Sequence, residues 1–114
     1  MPLFAVSGLP EEALAASAQF HERILPLVKA ELGKKPDCLT LVFDPADHTH
    51  RGWRLAAVQG LAREFAPVRV NALVSQDEAA IGAASEYVAQ ASGLTGQVLP
   101  LDGNGAGEVL SMEK

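Results

Sequence analysis

The chain has one cysteine, Cys38, in 114 residues. An intrachain disulfide is therefore excluded, and nothing points to an oxidising compartment. Positive charge is scarce and scattered. Nine Lys and Arg stand against fourteen Asp and Glu, for a net charge of −5, and only Lys34 and Lys35 are adjacent. That balance carries no electrostatic footprint for nucleic acid or an anionic membrane. No apolar run is long enough to span a bilayer. The Met1 end lacks the basic-then-apolar order of a secretory signal. A soluble cytoplasmic protein is the expectation. There is also no G-x-G-x-x-G and no P-loop to cradle phosphates. The "NGAG" near the C-terminus is too short and has no helical pattern after it. Repeats, low-complexity tracts and linkers are missing, so residues 1–114 read as one domain.

What is present alternates. "LFAVS" at residues 3–7 is a short apolar run that ends at Gly8 and suits a buried strand. Pro10 fits a first helical position, with Glu11 and Glu12 at the positive helix end. Leu14, Ala18, Leu25, Val28 and Leu32 recur at helical spacing. Phe20, Ile24 and Leu27 make a second stripe, so this helix has more apolar surface than one sheet covers. Pro26 should kink it, and Gly33 should stop it. "CLTLVF" at residues 38–43 is continuously apolar, as in strands covered on both faces. Asp44 and Pro45 read as the cap and first turn of a second helix that runs to about residue 66, ahead of Pro67. Residues 68–74 read as a third strand. Ser75 and Glu78 have capping-box spacing for a third helix, with Gly93 beyond its end. "GQVLPL" at residues 96–101 closes the pattern. Asp102 and Gly103 read as a turn, and the remaining tail as irregular. Strand and helix in strict alternation imply a parallel sheet with crossover helices.

Four stretches in this order carry a family resemblance. "RILPLVKAELGKKPDCLTLVF" resembles the Leu-Pro-containing helix before the central strand of short-chain dehydrogenase/reductases. "AAVQGLAREFAPVRVNAL" resembles their next helix and strand. "SEYVAQASGLTGQVLPLDGN" resembles the closing helix and strand, and "LFAVSG" stands where that family has a strand ending in Asn-Asn-Ala-Gly. The resemblance covers residues 10–104 and is to the C-terminal segment of the family. It implies a three-layer, Rossmann-like half domain with about four parallel strands in the order 1-2-3-4. It also implies a last crossover helix on the opposite face, against the usual hand.

The departures bear on function. The family's Gly-rich turn, which brings backbone up to the cofactor pyrophosphate, has no counterpart. Counting back from Glu64 places Asp47 at the position of the family's catalytic Tyr and Arg51 at that of its Lys. A carboxylic acid is no phenol-type proton donor at neutral pH, and the only tyrosine, Tyr87, falls in the third helix. Asp44-Pro45 stands where the family has its active-site Ser. The substrate loop after Asn71 is replaced by the capped helix. No cofactor and no nicotinamide binding are expected, and the chain reads as a truncated pseudoenzyme.

"DPADHTH" supplies Asp44, Asp47, His48 and His50 just past a strand end, the usual ligand position in α/β folds. Asp44, Asp47, His48 and Arg51 form a weak candidate ligand cleft. Their spacing matches no metal motif, and no metal is assigned. Helix capping, solvated histidines and an Asp47–Arg51 ion pair of about 0.3–0.5 kcal/mol account for the same residues. Cys38 reads as a small buried hydrophobe, His21 as a surface residue, and Asn71 as satisfying backbone groups.

Two function classes result. One is a non-catalytic protein that associates through its first two helices, as those helices do in full-length relatives. Its interface is expected at Leu14, Ala18, Phe20, Ile24, Trp53, Ala56 and Gly60. The partner is a second copy or a complete short-chain dehydrogenase, making this chain a structural or regulatory subunit. The other class is a small-molecule or metal binding protein, or a residual enzyme, using the 44–51 loop.

Overall fold

The computed structural model describes residues 2–101. The turn at Asp102-Gly103 and the irregular tail lie outside the described residues. Four parallel strands form one sheet in chain order: β1 (Leu3–Val6), β2 (Cys38–Phe43), β3 (Arg69–Val74) and β4 (Val98–Pro100). The register sets Val6 beside Phe43, Leu41 beside Ala72, and Ala72 beside Val98. The parallel half-domain architecture is thus the one the alternation implies, although β4 is shorter than residues 96–101.

The first helical rod begins as α1 (Ala13–Gln19), widens through a π-helical turn (Phe20–Ile24), and continues as α2 (Leu25–Leu32). Its buried positions explain the π turn. Ala16, Phe20, Val28 and Leu32 are all buried and lie at multiples of four. In a regular α-helix each four-residue step drifts about 40° around the axis, which would carry Leu32 far from the sheet. The wider turn, closed by Leu25 N–H donating to the Phe20 carbonyl, offsets part of that drift. Pro26, in the first turn of α2, leaves the rod continuous. Gly33 caps α2 with a right-handed φ of −63°. The left-handed residue of this connection is Lys35, at φ 60°.

The second helix starts later than the sequence suggests. Residues 44–47 are loop, a 3-10 turn spans His48–His50, and α3 runs Arg51–Glu64. The 3-10 turn is capped by Asp47, whose side chain accepts from the Thr49 N–H, and not by Asp44, while α3 itself follows His50 with no side-chain cap. The helix α4 (Glu78–Gln90) is likewise capped by Asp77, which accepts from the Ala79 and Ala80 N–H groups. Ser75 instead accepts from the Asp77 N–H at 2.9 Å, one step upstream. In both loops an aspartate nearer the first turn takes the capping role from the expected residue, because its oxygen lies within reach of the turn's own free N–H groups.

The helices divide between the two faces. Phe20, Val28, Leu32 and Val58 pack with Leu39, Leu41, Phe43, Val70 and Ala72 in a single core. α4 packs on β2 and β3 and covers the alternate residues, Cys38, Thr40, Asn71 and Leu73, all buried. The sheet advances in one direction while its third crossover changes face. That crossover therefore has the opposite hand to the first two, as the resemblance implies.

Candidate functional site

The C-terminal strand ends carry the charged residues. After β2, the chain passes through Asp44, Pro45, Ala46 and Asp47 before the 3-10 turn. A cleft of about 490 Å³ opens between this loop and the end of β1. Its walls include Val6, Leu9, Phe43, Asp44, His50 and Arg54. A neighbouring cleft of about 370 Å³ lies on the β4 side of the same loop.

Two side chains are built into the floor. His50 is buried. Its Nε2 is 2.8 Å from the Glu11 carbonyl, and its Nδ1 is 3.2 Å from Trp53 Nε1. A carbonyl only accepts and an indole N–H only donates, so Nε2 carries the proton and Nδ1 is bare. His50 thereby ties the β1–α1 loop to α3. Trp53 completes an aromatic cluster with Phe20 at 5.3 Å and Phe43 at 5.7 Å between ring centroids.

Arg54 is 7% exposed. It lies on the buried stripe of α3 with Val58 and Leu61. Its guanidinium stacks on Phe43, 4.6 Å from the ring centroid, a cation–π contact that holds its plane. Among the described residues no group accepts a hydrogen bond from its buried Nε, and none forms an ion pair with it. Burial pushes its pKa down, and the charge of Asp44 pushes it back up.

The four expected ligand residues divide between the clefts. Asp44 and Asp47 line the larger one, and His48, Arg51 and again Asp47 line the smaller. Asp47 and Arg51 form no ion pair among the described residues, which corrects that expectation. Asp47 lies ahead of α3, so the helical i,i+4 geometry never arises. It accepts instead from the Thr49 hydroxyl and, at 3.0 Å, from the Thr49 N–H. These bonds, the hydroxyl first, hold its carboxyl below the ordinary range. No cluster of three or more His, Cys, Asp or Glu could hold a metal ion among the described residues.

The expected interface residues also separate. Leu14 is 79% exposed, and Ala18 and Ala56 are exposed. Ile24, Trp53 and Gly60 are half-buried. Phe20 is fully buried within the chain, and this corrects its assignment to the outer face: it stands one helical step after buried Ala16 and packs against Phe43 of the sheet. Sequence reading missed Arg54. The available signal was its place in register with Val58 and Leu61, a charge on an otherwise apolar stripe.

On comparison with known proteins, the SDR-like family, described as short chain dehydrogenase-like protein, matches residues 4–101. The chain belongs to that family. No curated protein and no solved structure matches it. The family match runs from within β1 through every later strand and helix of the SDR-like chain described above. Among the described residues, no helix is long and apolar enough to cross a membrane.

Proposed function

We propose that this SDR-like chain is non-catalytic and acts by association, as a structural or regulatory subunit. The observation that carries the reading is what stands at the family's paired catalytic positions. Asp47 serves as the cap of the 3-10 turn, and its depressed pKa keeps it ionised at neutral pH. An ionised carboxylate has no proton to donate. Arg51, four residues on, is exposed and presents a guanidinium where the family has an amine. Neither does the work of a tyrosine whose acidity a lysine tunes.

The outer side of the first two helical units supports the association half of the reading. Leu14, Ala18 and Ala56 are exposed there, and a shallow groove passes Leu25, Ala56 and Gly60 between the rods. Small residues allow close helix approach, and a symmetric dimer is the commonest closed assembly. The reading commits to a second copy, with a full-length short-chain dehydrogenase as the alternative partner.

Light scattering is expected to give about twice the 12.0 kDa chain mass. A Cβ at Gly60 meets no heavy atom within 4 Å. Gly60→Arg should therefore fold normally while its long side chain drives two copies apart. A wild-type monomer at micromolar concentration, with no dehydrogenase co-purifying from the native host, would overturn association. Saturable micromolar binding of NADH or NADPH would overturn the non-catalytic half.

A further inference from the structure

We propose that the cleft above Arg54 binds a small monocarboxylate with an apolar body, its carboxylate pairing with the Arg54 guanidinium. A charge that is more than nine-tenths buried is normally paired, because desolvation is costly unless hydrogen bonds replace water. Arg54 has stacking on one side and no described acceptor. Its Nε is sealed off, so the two Nη groups are what it offers the cleft. Two parallel N–H groups in one plane match the two oxygens of a carboxylate. Phe43 fixes that plane in advance, so little ordering remains for binding to supply.

The walls choose the rest of the ligand. Leu9, Pro10 and Ala46 present accessible apolar surface, and a volume of about 490 Å³ suits a small molecule. Glu11, Asp44 and Asp47 also line the cleft. Three carboxylates around one buried cation repel a dianion more than a monoanion, which selects carboxylate over phosphate. The position at the C-terminal ends of β1 and β2 is where parallel sheets open a crevice. Bidentate pairing adds to the cation–π contact and leaves the stack in place. Binding here is read on Arg54 and is independent of the chain's oligomeric mass, so it can fail or succeed apart from the association reading.

The test is a heteronuclear NMR titration of the full chain with phenylacetate. Saturable shifts are expected at Asp44, His50 and Arg54, with inorganic phosphate binding at least tenfold more weakly. Arg54→Met keeps the apolar stem and removes the charge. It should weaken phenylacetate at least tenfold while leaving the melting temperature unchanged or raised, since an unpaired buried charge is gone. Arg54→Lys keeps the charge without the planar fork and should bind at least threefold more weakly than wild type. No shift at Arg54, phosphate binding as tightly as phenylacetate, or equal binding by either variant would overturn the assignment. So would a fall in melting temperature of several degrees in Arg54→Met, which would make Arg54 a packing residue.

Discussion

Each face of the sheet holds one arginine between sheet and helix, and the two are treated in opposite ways. On the α4 face, Arg69 of β3 is fully engaged. Its Nη1 donates to the Val88 and Ala91 carbonyls at 3.0 and 2.9 Å, and its Nη2 to Ala89 at 3.0 Å. These carbonyls lie at the C-terminal end of α4, where those of Val88 and Ala91 accept backbone N–H bonds as well, and a cation there also meets the negative end of the helix dipole. On the other face, Arg54 has an aromatic ring and no described acceptor. The difference separates a structural cation from one with unused capacity. Arg69 closes a helix, whereas Arg54 keeps donors in reserve beside a cleft.

The contrast extends to how each face is held. The α1–α3 face is cemented by apolar and aromatic packing around Phe20 and Phe43. The α4 face relies on directed bonds. Asn71, fully buried, donates from Nδ2 to the Leu94 carbonyl at 2.9 Å and accepts from Gln97 N–H at 3.1 Å. The Thr95 hydroxyl accepts from Val70 N–H at 3.0 Å. Gly96, at φ +75°, makes the turn that brings β4 into register.

Three substitutions break or sharpen that comparison. The largest effect is expected from Phe20→Ala, which empties the centre of the aromatic cluster. Chemical denaturation should show a loss of about 4 kcal/mol, with Trp53 fluorescence shifting as its neighbour disappears. A loss below about 1 kcal/mol would mean that the apolar face is not held by packing. Next comes Arg69→Met, which removes three charge-assisted bonds to carbonyls at the end of α4. A loss of about 2–3 kcal/mol is expected, with hydrogen exchange accelerating in α4 before α3. Equal acceleration in both helices would show that Arg69 does not act locally.

The smallest effect belongs to Asp47→Asn. The folded pKa of Asp47 is depressed, so its contribution is present above the unfolded value and lost as pH falls through the folded one. Asn can accept the Thr49 bonds without titrating. The variant's stability should therefore fall less steeply than that of wild type as pH drops below about 4. Acid limbs of identical slope would remove Asp47 from the account.

Much of this fold was legible because a parallel sheet imposes a coarse rhythm. Continuous apolar runs such as residues 38–43, separated by helical stretches, leave few other arrangements. The resemblance supplied strand order and the reversed last crossover. The helix starts were less legible. Ser75 and Asp77, or Asp44 and Asp47, are equally competent cap types within two or three residues, and only the path of the loop decides which oxygen reaches the free N–H groups. The candidate site was legible as a location, past the end of β2, and not as a set of residues.

The sequence by itself determined the alternation of strand and helix, the absence of a tyrosine and lysine at the paired positions, and the excess of apolar residues on the first two helices. Those features are local, in composition or in short-range period. Tertiary structure alone decided that Phe20 turns inward, where Phe43 and Trp53 close around it. It alone decided that Asn71 stitches β3 to the 94–97 segment, more than twenty residues away. It also decided that one arginine finds three carbonyls while another finds an aromatic ring and a cleft. Whether a buried charge has a partner depends on what the fold brings alongside it from distant parts of the chain.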